Sequence, residues 1–386
     1  MIPLSVPHIA GNEWQYIKEC LDTEWVSSAG KYVDLFEQQV AKLAGSKFAI
    51  ACVNGTAALQ VALEVAGLKP DEEVIVPTLT FIASVNAVRY NRAEPIFFDC
   101  DDYYCLNIDK IIEFIRQETI FKHGASFNRK TGKRIRALVA VHVFGNAVNL
   151  EPLLELCHER GILVVEDAAE SIGTVYRGGK LDGKATGVVG DIGFYSFNGN
   201  KIITTGGGGM IVTNNSEYAE RARYLTTQAK DDEVRYIHHN IGYNYRLTNI
   251  QAALGVAQLE KLGEYIERKR TNYQYFKQAI DQIPGLHLAE VPPYCEPNYW
   301  FYNLQIDKDI YGRDREELLA LFTAEKIQVR PVWYLNHWQK PYVKNQTYKI
   351  EKAIQLFEKT LNIPCSVNLT TEQRTKVIEV LKNGQR

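Results

Sequence analysis

The chain of 386 residues contains no run of about 18 apolar residues, which excludes a membrane-spanning helix. It has no excess of one charge either. Its 44 Lys and Arg face 46 Asp and Glu, and the net charge of -2 argues against a broad electrostatic footprint for nucleic acid. Its seven cysteines are scattered, with no Cys-x-x-Cys pair and no Cys/His cluster at zinc spacing, so no metal site is expected. Reduced thiols in a cytoplasmic protein are the expectation. The opening residues Met1 to His8 show no basic stretch followed by an apolar core, so no secretory leader is expected. No repeat period or low-complexity tract is present, which disfavours solenoids and disordered arrays.

What is present is alternation. Short apolar runs at Phe48–Val53, Glu73–Pro77, Pro95–Asp99, Ile135–Val143 and Gly161–Val165 are separated by helical patterns at Ala57–Ala66, Ile82–Tyr90, Asp109–Glu118 and Leu150–Arg160. Continuous apolar strands alternating with helices predict an α/β fold, with a mostly parallel central sheet covered by helices on both faces. Polar residues gather at the carboxyl ends of these strands: Asn54, Thr78, Thr80, Asp99, His142 and Asp167. Ligands of open α/β sheets bind at that edge, so the site is expected there. Beyond Gly255 the pattern changes to a long polar helix, Leu259–Ile283, and a proline-containing mixed region. Residues 250–262 read as the connection between a large domain, 1–255, and a smaller α+β domain, 256–386.

Three segments carry chemistry. In Val53-Asn54-Gly55-Thr56-Ala57-Ala58 a strand end turns into a helix. The N–H groups of Thr56, Ala57 and Ala58 can hold an anion there, although a plain helix cap has the same pattern. In Val164-Val165-Glu166-Asp167-Ala168-Ala169-Glu170-Ser171 a strand ends on carboxylates. Asp167 can cap a helix, bind a metal or face a cationic ring nitrogen. In Ser196-Phe197-Asn198-Gly199-Asn200-Lys201, followed by Ile202, Ile203 and a run of four glycines, the lysine has apolar neighbours. A solvated lysine is the ordinary reading; a desolvated one has a lowered pKa and is an amine nucleophile. The glycines are no dinucleotide fingerprint, since no Gly-x-Gly-x-x-Gly follows the first strand, and this disfavours a nicotinamide oxidoreductase. Anion cradle, strand-end Asp and glycine-flanked Lys are together the parts that pyridoxal phosphate needs.

Seven blocks then carry a resemblance. They are WVSSAGKYVDLFE at 25–37, VNGTAAL at 53–59, PTLTFIAS at 77–84, VHVFGN at 141–146, VVEDAAES at 164–171, SFNGNKIITTGGGGM at 196–210 and GYNYRLTNIQAALG at 242–255. Over nearly its whole length the chain resembles the fold-type I sugar-nucleotide aminotransferases of the DegT/DnrJ/StrS family. Within that family the glycine-rich block is similar to the branch that aminates UDP-linked 6-deoxy-N-acetylhexosamines, en route to bacillosamine and legionaminic acid.

The resemblance implies pyridoxal phosphate as cofactor, with a nucleotide sugar and L-glutamate/2-oxoglutarate as substrates. It implies Lys201 as the lysine that bonds the cofactor and shuttles the proton, and Asp167 as the partner of the ring nitrogen. Phe81 is implied to stack on the ring, Thr56, Ala57 and Ser196 to hold its phosphate, and Asn244 to reach the phosphate from a neighbouring subunit. A homodimer with its sites at the interface follows. Glu170 stands near the phenolic oxygen, where many relatives have Gln or His, and its carboxylate would repel a phenolate unless one of the two is protonated. Gly207 stands where many relatives have Glu. For the sugar side the resemblance points to Trp25, Ser27, Tyr32, Tyr245, Arg246, Arg330, Trp333 and His337. His142 is expected to orient the loop behind the ring. The expected reaction is amination of the 4-keto carbon of a UDP-linked sugar. Rival readings are the same reaction on a GDP- or dTDP-linked sugar, a sugar dehydratase and a binding protein. The dehydratase reading is disfavoured because the 3-dehydrases of this fold carry histidine in place of the lysine.

Overall fold

A computed structural model describes residues 1–386. The large sheet is built from β1 (Phe48–Cys52), β2 (Glu73–Pro77), β3 (Glu94–Phe98), β4 (Thr119–Lys122), β5 (Ala125–Asn128), β6 (Arg134–Val141), β7 (Leu163–Asp167), β8 (Ile192–Ser196), β9 (Gly209–Thr213) and β10 (Thr347–Tyr348). Its order is β1-β9-β8-β7-β6-β2-β3-β10, with the β4–β5 hairpin joined to β6 through β5. Neighbours from β8 through β10 run parallel; only β9, between β1 and β8, and the hairpin strand β5 run against them. The expected sheet is therefore present. The hairpin was not anticipated from the sequence, because Thr119–Lys122 is largely exposed and carries no apolar alternation.

Period-two alternation distributes the side chains of β1 and β9 between two cores. Ile50, Cys52 and Ile211 enter the main core with Phe97, Val139 and Val164, while Ala49, Ala51, Met210 and Val212 enter a second one. That second core packs against α1 (Glu13–Asp22), α2 (Lys31–Ala44) and, after α3 (Gly55–Val65) and α4 (Ala83–Tyr90), a helix at Asn249–Leu259. This last helix occupies most of the segment 250–262 that the sequence reads as a connection. Its small residues are there for close approach: a Cβ on Gly255 would lie 2.7 Å from the Phe36 ring. The long polar helix begins only afterwards, at Leu262, and runs to Ile280.

A separate four-stranded sheet in the C-terminal part has its own core, including Tyr302, Leu304, Leu361, Val377 and Leu381. Two segments cross between the parts. Ile2 bridges Ile327 and Leu4 accepts from the Cys365 N–H, while β10 extends the edge of the large sheet. All seven cysteines are buried and unpaired. No helix is long and apolar enough to cross a membrane.

Candidate active site

A cleft of about 270 Å³ opens at the carboxyl ends of β1, β6, β7 and β8. Thr56, Phe81, Ser84, Asp167, Glu170, Ser196, Lys201, Trp300 and Trp333 are among its lining residues. Seven of these were named from the sequence; Ser84 and Trp300 were not.

Asp167 ends β7 and is 4% exposed. Its Oδ2 accepts from the Ser84 hydroxyl at 2.6 Å and its Oδ1 from the Ala169 N–H at 3.1 Å. Burial pushes its carboxyl above the usual carboxylate range, against these two donors and the nearby positive charge of Lys201. Ser84 sits one helical turn beyond Phe81, so its presence in the block 77–84 was a readable signal. Phe81 itself stands at the rim, 52% exposed.

Lys201 follows a turn in which its own N–H donates to the Asn198 carbonyl. Its Nζ lies 4.1 Å above the Trp300 ring and 3.7 Å from Glu170 Oε1. Burial disfavours the ammonium and lowers its pKa, opposed by Glu170 and Asp167. Trp300 is fixed by donating its indole N–H to the Asn200 carbonyl, and no sequence pattern marks it. Glu170 is also buried, and its carboxyl is pushed up to about 7 by burial, against the pull of Lys201. Both forms of Glu170 are therefore accessible near neutral pH, and its protonation would remove the repulsion expected from a carboxylate at this place.

The anion end is narrower than the sequence suggested. Asn54 caps α3, its side chain accepting from the Ala57 N–H at 2.8 Å, and its carbonyl accepts from the Ala58 N–H. Ala57 and Ala58 are therefore already engaged within the chain. The N–H and hydroxyl of Thr56, with the Ser196 hydroxyl, have no partner in the chain and point the helix's positive end at the cleft. The glycine run lets β9 pass close by: a Cβ on Gly209 would lie 2.6 Å from the Asn54 carbonyl.

His142 is wholly buried and does no chemistry in the cleft. Its Nδ1 accepts from the Val148 N–H, so Nε2 carries the hydrogen and donates to Glu166 Oε2 at 2.9 Å. Glu166 also takes N–H groups from Gly187, Val189 and Gly190. Asp99, another strand-end carboxylate, caps the helix at Lys352–Lys359 and pairs with Lys110.

The sugar-side residues scatter. Trp333 lines the cleft, stacked on Phe144 at 4.8 Å. His337 does not line it; its Nδ1 lies 2.6 Å from the Thr78 hydroxyl, and burial lowers its pKa. Beside it, buried Asn336 donates to the carbonyls of Thr78 and Thr80. Arg246 is held inside the fold by Glu37, which also takes Arg223 and the Ala51 N–H. A buried carboxylate requires that countercharge, so Arg246 does not reach the cleft of its own chain. Arg330 is exposed on the small sheet, and its guanidinium hydrogen-bonds only to the Val329 carbonyl. Trp25 and Ser27 are exposed between α1 and α2, their carbonyls accepting from Asn249, and Trp25 borders a separate hollow with Tyr32. Tyr245 stacks on Tyr243 and donates its hydroxyl to Gln60. Asn244 is exposed and accepts from Gln228.

The chain resembles known proteins over nearly its whole length. Residues 7–382 match the DegT/DnrJ/EryC1/StrS aminotransferase family. The chain is 36% identical to the GDP-perosamine synthase of Caulobacter vibrioides, over 98% of its own length and 97% of that protein's. It is likewise 36% identical to the GDP-perosamine synthase of Escherichia coli O157:H7, over 98% and 97%. Among solved structures it superposes on the aminotransferase TlmJ from Streptoalloteichus hindustanus with a TM-score of 0.88 and 25% identity, covering 100% of this chain and 98% of that one.

Proposed function

The chain belongs to the DegT/DnrJ/EryC1/StrS aminotransferase family, and we propose that it moves the amino group of L-glutamate to the 4-keto carbon of a UDP-linked 2-acetamido-2,6-dideoxyhexos-4-ulose. It is a pyridoxal-phosphate-dependent sugar aminotransferase; the donor, the nucleotide and the sugar are the proposed parts. The observation that carries the assignment of residues is the meeting of Asp167, Glu170 and Lys201 in one buried cleft, opposite the unpaired hydroxyls of Thr56 and Ser196.

These residues fit the cofactor. When bound, pyridoxal phosphate supplies an aldehyde carbon that takes up an amino group and a ring that stores the electron pair freed at the substrate carbon. The chain supplies the rest. Thr56 and Ser196 hold the phosphate at the positive end of α3. Asp167, its ionised form supported by Ser84 and the Ala169 N–H, faces the cationic ring nitrogen. Phe81 covers the ring from the rim. Lys201, whose ammonium form burial disfavours, is available as a neutral amine to bond the aldehyde and, once freed, to carry a proton at Nζ between carbon atoms.

Asn244 is proposed to act in the cleft of a second copy. The segment that leads to it exposes Val234, Tyr236 and Ile241, apolar surface that a homodimer would cover. Trp25 and Ser27 are proposed as sugar contacts across the same interface, and Trp333 within the chain.

The UDP-sugar reading is supported by the block SFNGNKIITTGGGG. A second reading, a GDP-linked 4-keto sugar, is favoured by the two GDP-perosamine synthases at 36% identity. One experiment separates them. The loaded protein is converted to the amino form of its cofactor with L-glutamate, freed of donor, and offered each ketosugar while the visible band is followed. Return of the band with the UDP-sugar supports the first reading. Return only with a GDP-sugar replaces it by the second, and failure of glutamate to bleach the band overturns the donor.

A further inference from the structure

Glu170 contributes nothing to the transfer as described, yet its carboxyl is the acid closest to the reacting amine. One oxygen is committed: Oε2 accepts from the Phe144 N–H at 2.8 Å. Phe144 holds that N–H in place from a left-handed backbone, φ 59° and ψ 17°, which a bulky side chain adopts only under tertiary constraint. The Glu170 carbonyl accepts from Asn298, which fixes the main chain as well. The other oxygen, Oε1, has no hydrogen-bond partner and faces Lys201 Nζ at 3.7 Å. Closing that gap to the ~2.9 Å of a hydrogen bond needs a movement of under ~1 Å at the end of a flexible side chain.

We infer that Glu170 is the proton partner of Lys201: Oε1 receives the proton that Nζ sheds to become a neutral amine, and returns it when Nζ is protonated again. The inference rests on the assignment of Lys201 to the cofactor. In the exchange an Nζ–H bond breaks, its electron pair stays on nitrogen, and an O–H bond forms on Oε1. Ammonium becomes amine, carboxylate becomes carboxylic acid, and no charge leaves the cleft. The groups facing Glu170 are Lys201, the Asp167 carboxylate and the Phe144 N–H; His142 is turned away into Glu166. Burial pushes the Glu170 carboxyl up to about 7 and lowers the Lys201 ammonium, which draws the two proton affinities toward each other. Glu170 thus acts through Lys201 and not on the sugar.

The test counts protons. The full-length protein, stripped of cofactor, is titrated calorimetrically with pyridoxal phosphate at pH 8 in two buffers of different ionisation enthalpy. Glu170→Gln keeps an oxygen for the Phe144 N–H but cannot take a proton. Protonation changes of the cofactor itself are common to both proteins and cancel in the difference. The variant is expected to release more protons than the wild type, by up to about one per chain. Repeated near pH 6, where Glu170 already holds its proton, the difference should shrink. Glu170→Asp, which keeps an acid at the position, should move the count back toward the wild type. Equal counts for wild type and Glu170→Gln at both pH values overturn the proton partnership while leaving the cofactor assignment intact. Absence of binding to the wild type overturns that assignment and this inference together.

Discussion

Replacing Ser84 by Ala isolates what supports the Asp167 charge. The hydroxyl donates to Oδ2 at 2.6 Å, and the only other hydrogen bond to the carboxylate is the Ala169 N–H. A hydrogen bond to a charged group contributes about 1.5–3 kcal/mol. Its removal raises the Asp167 pKa, already above the ordinary value through burial, by a further ~1–2 pH units at ~1.4 kcal/mol each. Alanine is a strong helix former and Ser84 lies in the first turn of α4, so the helix should survive the change. A cationic ring nitrogen requires the ionised Asp167. At pH 8 the variant should therefore bind pyridoxal phosphate within a few-fold of the wild type. As pH falls, its affinity should begin to decline ~1–2 pH units earlier. Equilibrium dialysis of both proteins between pH 5 and 8.5 measures this directly. Superimposable affinity profiles would refute the argument, because they would mean that Ser84 does not hold the charge or that Asp167 does not face the ring.

Other expectations are more local. Lys201→Ala should form no visible band with the cofactor and show no glutamate-dependent amination; turnover near the wild-type rate would remove Lys201 from the mechanism. Glu170 has a folded-state pKa of about 7 against an ordinary 4.5, so its ionisation in the fold costs up to ~3 kcal/mol above pH 7 and nothing well below 4.5. Cofactor-free Glu170→Gln should accordingly melt higher than the wild type at pH 8 and nearly level with it at pH 5, as calorimetry can show. Gly255→Ala should gain up to ~1 kcal/mol of helix propensity. It should lose more, since its Cβ would meet the fully buried Phe36 ring at 2.7 Å and overpacking costs ~1–3 kcal/mol; a net rise in the denaturation midpoint would contradict this. Asn336→Ala leaves the Thr80 carbonyl without its donor, at ~1–3 kcal/mol, while the Thr78 carbonyl keeps the Asn336 main-chain N–H; the change should speed cofactor release measured by stopped-flow absorbance.

The parallel sheet could be read from the sequence because each strand is a continuous apolar run ending on a polar residue. The gathering of Thr56, Asp167, Ser196 and Lys201 in one cleft was readable for the same reason: they lie within or just beyond strand ends. What escaped has physical causes. The helix at Asn249–Leu259 is buried on several sides, so it shows no apolar stripe, and its Ala and Gly residues resemble a linker. Trp300 enters the cleft from the C-terminal part, and no local pattern records which distant loop will face Lys201. The fate of Arg246 depended on Glu37, a partner 209 positions away. In the sequence such an arginine looks identical whether it faces substrate or a buried carboxylate.

The contacts of residues 336–348 also bear on how this enzyme can be recombined. Asn336 and His337 grip the loop that carries Phe81, and β10 lies along β3. A chimera spliced near Gly255, made to transplant the C-terminal half of one sugar aminotransferase onto the cofactor half of another, would exchange that grip together with Trp300 and Trp333. The graft would alter how Phe81 is seated at the rim of the cleft as well as the aromatic residues that line it. Swaps meant to change sugar preference alone should keep 336–348 from the same parent as 78–98.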